Sequence, residues 1–92
     1  MIKTFGSADT KRLFNRERVK RLEVIEARAR RKLEALNAAK ELGDLAAVPG
    51  NRLEKLHGDR EGQHSICIHD QWRICFVWRD GDAYRVEIVD HH

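Results

Sequence analysis

Trp72-Arg73-Ile74-Cys75-Phe76-Val77-Trp78-Arg79 is the stretch on which the fold turns. Large apolar residues hold its even positions (Trp72, Ile74, Phe76, Trp78), while Arg73, Cys75, Val77 and Arg79 hold the odd ones. Successive side chains of a strand point to opposite faces, so the run predicts a strand with one strongly apolar face and one open face. The same period extends outward in both directions. In Gln63–His69, Ile66 and Ile68 are even, and Ser65, Cys67 and His69 are odd; in Ala83–Val89, Tyr84, Val86 and Ile88 oppose Arg85, Glu87 and Val89. Asp80-Gly81-Asp82 is a hairpin signal, because Asp-Gly tolerates positive φ, and His69-Asp70-Gln71 reads as the preceding turn. Three runs joined by tight turns make an antiparallel meander.

Upstream the period changes. In residues 19–42, Leu22, Ile25, Ala29, Leu33, Leu36 and Ala39 or Lys40 follow the spacing of one buried helical stripe. Arginines and lysines occupy mostly the other faces, interleaved with Glu17, Glu23 and Glu26 at distances that suit ion pairs on an exposed surface. The spacing predicts one long helix, with Gly43 as its stop. Ala8–Phe14 is a shorter helix that Ser7 or Asp9 can cap, and Ile2–Phe5 is a short opening strand that Gly6-Ser7 breaks. Pro49-Gly50-Asn51 punctuates the passage from helix to strand. The expected architecture is α+β, a single domain over 1–92, with an N-terminal strand and two helices packed on one face of an antiparallel sheet.

With 92 residues, 41% of them hydrophobic and 36% charged, the chain suits one core under a heavily charged surface. No apolar stretch approaches the roughly 18 residues of a membrane span, and the first residues lack the apolar core of a secretion signal. No membrane role is expected, and a cytoplasmic location is. Cys67 and Cys75 are then expected to remain free thiols. The net charge of +3 is mild, but it is unevenly placed: residues 1–49 carry 12 Lys/Arg against 7 Asp/Glu, whereas residues 50–92 carry 6 against 8 and all five histidines. The basic half can sit on nucleic acid or on an acidic partner, or it can be a solvated helical face.

Several groups can carry chemistry. Asp90-His91-His92 joins a carboxylate to imidazoles that titrate near neutrality, a proton-transfer set unless the tail is merely solvated. Arg73, on the open face, either clamps a phosphate with its planar fork or pairs with Glu87. In the glycine-bounded loop from Lys55 to Gly62, Lys55, His57 and Arg60 can contact phosphates, or Asp59 and Glu61 can neutralise them. Cys67, His69 and Cys75 share a nominal face, but their spacing matches no closed four-ligand zinc pattern, and neither a metal nor a cofactor is expected. No phosphate-binding glycine loop or serine-nucleophile elbow is present in the sequence.

The run Pro49-Gly50-Asn51-Arg52-Leu53-Glu54-x-Leu56-x-Gly58-Asp59-Arg60-x-Gly62-Gln63-x-Ser65-Ile66 resembles the centre of the HigB-type host-inhibition toxins. Asp70-Gln71-Trp72-Arg73-Ile74-Cys75-Phe76, Gly81-Asp82-Ala83-Tyr84 and Val86-Glu87-Ile88-Val89-Asp90-x-His92 continue the likeness, which covers essentially the whole chain. These toxins belong to the RelE/ParE superfamily of toxin–antitoxin systems. The resemblance implies a RelE-like fold, akin to the microbial ribonucleases. It implies a ribosome-dependent endoribonuclease that cuts messenger RNA in the decoding site, without a metal, by attack of the 2′-hydroxyl, and so inhibits translation.

The implied partners are the ribosome and its message, and a cognate helix-turn-helix antitoxin of the HigA kind, with operator DNA reached only through the antitoxin complex. The implied catalytic residues are Asp90, His92 and Arg73, with His91 beside them; Lys55, His57 and Arg60 are the implied phosphate contacts. His91 stands where the family commonly has tyrosine. A non-catalytic or slow inhibitor acting on gyrase or on ribosome assembly is the alternative within the same superfamily.

Overall fold

The computed structural model describes residues 1–90. Among them, the strands are β1 (Glu54–Lys55), β2 (His64–His69), β3 (Trp72–Arg79) and β4 (Asp82–Asp90), antiparallel throughout and ordered β1-β2-β3-β4. The opening segment lies outside β4, where Ile2 and Phe5 form two parallel bridges to Ala83 and Val86. The α-helices among the described residues are α1 (Ala8–Phe14), α2 (Glu26–Ala38) and α3 (Leu42–Ala46). No helix among the described residues is long and apolar enough to cross a membrane.

The core lies between the helices and one sheet face. Ile66, Ile74, Phe76, Val86 and Ile88 meet Leu13, Leu22, Leu33 and Leu36, all buried, with Trp72 and Trp78 half-buried at the margins. Ser7 caps α1 by accepting the Thr10 N–H at 3.2 Å. The buried Thr10 hydroxyl in turn accepts the Ile88 N–H at 3.0 Å and ties α1 to β4. Both tight turns form: Asp70 adopts positive φ between β2 and β3, as do Asp80 and Gly81 between β3 and β4.

Three expectations need correction. The stripe from residue 19 to 42 is not one α-helix: Lys20–Ile25 is a 3₁₀ helix, and α2 begins only at Glu26. Val19, Leu22 and Ile25 are spaced by threes, and a 3₁₀ helix eclipses residues three apart, so tight winding buries all three. From Ile25 onward, Ala29, Leu33 and Leu36 keep the α period and stay buried.

Nor does Gly43 end the helix. The chain turns extended at Ala39, and Gly43 lies inside α3. The Asp44 carboxylate accepts the N–H groups of Lys40 (2.9 Å) and Glu41 (3.1 Å), which starts that new helix and holds the carboxyl below its ordinary pKa.

Finally, Tyr84 is not on the apolar face. Arg85 takes a left-handed backbone conformation (φ 54°) where the β3–β4 register shifts, so Arg85 and Val86 together oppose Phe76. Tyr84 therefore shares the open face with Val77, its ring 4.8 Å from the Arg79 guanidinium carbon. The bulge is stitched to the opening segment: the Arg85 N–H donates to the Thr4 hydroxyl at 2.8 Å, and the Val86 N–H donates to the Thr4 carbonyl at 3.1 Å. Gly6 permits this approach, because a Cβ there would meet the Arg85 carbonyl oxygen at 2.9 Å.

Candidate active site

The sheet's open face is partly roofed. After Gly50 the chain crosses it through β1 and the 3₁₀ turn Gly58–Arg60, leaving a cleft of about 300 Å³. Its floor is Ser65 from β2, Cys75 from β3 and Val89 from β4; Glu54, Leu56, His57, Asp59 and Arg60 line the side supplied by the crossing segment. The register brings these groups together, since Glu54 pairs with Ser65, Ser65 with Cys75, and Cys75 with Glu87.

Arg73 is held from three directions. Its Nε donates to Ser65 Oγ at 2.8 Å, its Nη2 donates to the Arg52 carbonyl at 2.9 Å, and the same nitrogen lies 3.8 Å from Glu54 Oε2. Only 14% of its side chain is exposed, so the guanidinium is fixed at the cleft and not waving in solvent. Arg60 is fixed from the other side, its Nη1 donating to Gln63 Oε1 at 3.1 Å and to Glu87 Oε1 at 3.3 Å. Glu87, which could have neutralised Arg73, therefore serves Arg60.

Cys75, 3% exposed, is influenced by both arginines. Burial pushes its thiol pKa up and Glu87 adds to this, against the opposing pull of Arg60 and Arg73. The thiol stays protonated at neutral pH and acts as a floor, not as a nucleophile.

Of the residues singled out from the sequence, the cleft gathers Arg73, Arg60 and His57. Lys55 is not among them: it pairs with His64, whose ring stacks on Phe76, and so belongs to the helix-covered face. Asp90 ends β4 one residue beyond the cleft-lining Val89 and pairs with Trp72, so the register places it on Trp72's side of the sheet and not among the cleft-lining residues. His91 and His92 lie outside the described residues.

Ser65, Glu54 and Gln63, which orient the arginines, were missed as functional groups, although Ser65 shares the odd face with Arg73 in the strand pattern. Among the described residues, no group of three or more His, Cys, Asp or Glu side chains is placed to hold a metal ion. Two oriented guanidinia on a half-roofed sheet can grip a phosphodiester and stabilise charge that develops on it.

Fold and cleft together define a small α+β protein that sets two oriented guanidinium groups in a cleft on one face of an antiparallel sheet. Residues 3–92 match the family described as the RelE-like toxin of type II toxin–antitoxin system HigB, and the chain belongs to that family. It is 35% identical to Endoribonuclease HigB of Proteus vulgaris over 96 aligned residues, covering the whole of both chains. It is also 44% identical to Toxin HigB-1 of Vibrio cholerae serotype O1 over 61 residues, a match that takes in 66% of this chain and 64% of that one.

Proposed function

We propose that this chain is the toxin of a type II toxin–antitoxin pair and an endoribonuclease that cleaves messenger RNA in the ribosomal decoding site, inhibiting translation. The pairing of Arg73 and Arg60 over one cleft, both held rigid by neighbours, carries the reading. The relatives' names supply its direction: one is a toxin, the other an endoribonuclease. The cytoplasm is where ribosome and message would be met, and a helix-turn-helix antitoxin of the HigA kind is the proposed neutralising partner.

In the proposed reaction the 2′-hydroxyl oxygen attacks the adjacent phosphorus. Its proton goes to His92, or to Asp90 at the end of β4 beyond the cleft lining, and the bond to the 5′-oxygen breaks. His57 or His91 protonates that leaving oxygen, giving a 2′,3′-cyclic phosphate and a free 5′-hydroxyl. Arg73 and Arg60 meet the negative charge that grows on the phosphoryl oxygens between these two proton transfers, with Ser65, Gln63 and the Arg52 carbonyl keeping their donors aimed. The ribosome contributes by presenting the message splayed and in line, which supplies positioning that an open cleft of this size does not.

The test is the chemistry of the cut ends on translating ribosomes. Cyclic phosphate and 5′-hydroxyl ends, formed when Mg²⁺ is removed after the ribosomes are assembled and cross-linked, are expected. A cleavage step that requires Mg²⁺ defeats the mechanism. Growth arrest with intact message and poisoned topoisomerase defeats the nuclease reading itself.

A further inference from the structure

Away from the cleft, a second concavity of about 410 Å³ lies where α2 meets the chain leading into β1 and the end of β2. Arg28, Arg31 and Lys32 rim it, and Ala35, Val48 and Ile68 give it an apolar lining. Its charge is not the general charge of the helical half. Of the seven arginines in residues 1–49, Arg12, Arg16, Arg18, Arg21 and Arg30 are each ion-paired with a carboxylate. Arg28 and Arg31 alone are not, among the described residues, and both fall on this groove. Arg28 instead contacts the His69 ring, and Lys32 donates to the Asn51 side-chain carbonyl, so neither of these contacts supplies a carboxylate. Val48, 42% exposed, leaves apolar surface open beside them.

We propose that this groove docks an acidic, amphipathic polypeptide segment, carboxylates on the Arg28–Arg31–Lys32 rim and aliphatic side chains against Val48 and Ile68. A phosphodiester backbone would satisfy the rim but leave the apolar lining uncovered; a peptide with acidic and aliphatic residues at helical spacing satisfies both. The antitoxin is the natural source of the segment. That assignment rests on membership of the toxin–antitoxin family, whereas the chemistry of the groove does not. The groove and the cleft are linked along the chain: Asn51, held by the Lys32 contact and by its own side-chain donation to the Leu45 carbonyl at 3.0 Å, is followed by Arg52, whose carbonyl holds Arg73. A segment seated in the groove thus lies against the residues that lead to the cleft arginine.

The experiment uses the full chain and a short fluorescein-labelled peptide of glutamate and leucine at helical spacing, with binding read by anisotropy. An RNA hairpin of equal charge is the comparison probe. The expected result is saturable peptide binding that the pair Arg28→Glu and Arg31→Glu weakens at least about tenfold and Val48→Ser weakens about threefold, with thermal melting confirming that each variant is folded. Tighter binding of the hairpin, with no effect of Val48→Ser, would make the groove an RNA-docking patch and overturn the proposal. Absence of peptide binding to the unaltered chain overturns it as well. No cleavage is measured, so this result and the fate of the nuclease reading are independent.

Discussion

The two faces of the sheet are built on opposite plans. On the helix-covered face, Phe76, Ile74, Ile66 and Ile88 are surrounded by leucines of the helical half, and position is set by filled volume. On the open face, Arg73 and Arg60 are set by directed bonds to Ser65, Gln63, the Arg52 carbonyl and the carboxylates of Glu54 and Glu87. Packing is non-directional and accumulates over many contacts, whereas hydrogen bonds fix the angle of a single group at modest net stability. Stability and chemistry therefore separate by face, and substitutions can test that separation.

The largest effect is expected on the covered face. Phe76→Ala leaves a cavity under the centre of the sheet and should cost about 3–5 kcal/mol, measured as a lowered urea midpoint. On the open face, Arg73→Ala or Arg60→Ala should reduce message cleavage on ribosomes at least about tenfold, equivalent to about 1.4 kcal/mol or more of barrier. Each should lower stability much less than Phe76→Ala does. Equal destabilisation by Arg73→Ala and Phe76→Ala would break the separation. A cleavage rate untouched in both arginine variants would remove the cleft from the chemistry.

The same contrast explains what the sequence made legible. The covered face follows a period that every residue reports locally, so β2, β3 and the buried stripe of residues 22–36 can be read by inspection. Tyr84 escapes that reading because its face depends on the bulge at Arg85, fixed by Thr4 and Gly6 from the far end of the chain. On the open face, Arg73, His57 and Arg60 are visible as charged or titratable types in suggestive places. Their common cleft depends on β1, two residues long and too short to show a period. The orienting roles of Ser65 and Glu54 depend on the same pairing, and Lys55 falls on the other face because of it. Asp90 and His92 became candidates through family resemblance and the chemistry of a carboxylate beside imidazoles, not through any structural period.

A smaller effect tests how the open face holds its arginine. Ser65→Ala deletes the acceptor of the Arg73 Nε donor without opening a large cavity. It should cost about 1 kcal/mol of stability, the usual net value of one such bond. If the aim of Arg73 matters as much as its charge, cleavage falls by about fivefold in the same variant, the rate equivalent of about 1 kcal/mol. Ser65→Thr, which keeps the hydroxyl, should restore part of that loss. Cleavage unchanged in Ser65→Ala would mean that Arg73 acts as a charge alone.

The smallest expected effect lies where the covered face carries a titratable ring. His64 stacks on Phe76 with ring centres 6.2 Å apart, and its Nδ1 is buried without a hydrogen-bond partner. Burial pushes its pKa below the ordinary value of 6.5, and the nearby positive charge of Lys55 adds to the shift. The unfolded chain therefore takes up a proton at a higher pH than the folded chain does. Stability from this group is complete above about pH 6.5 and declines as the pH falls from there toward the lowered folded value, below which no more is lost. His64→Phe, which keeps the stacked ring and removes the proton site, should flatten the fall in urea midpoint between about pH 7.5 and pH 5. Lys55→Met should flatten it less, since the charge is the lesser cause. Identical pH profiles for His64→Phe and the unaltered chain would show that protonation is tolerated on the covered face, and there the contrast between a volume-set and a bond-set face would fail.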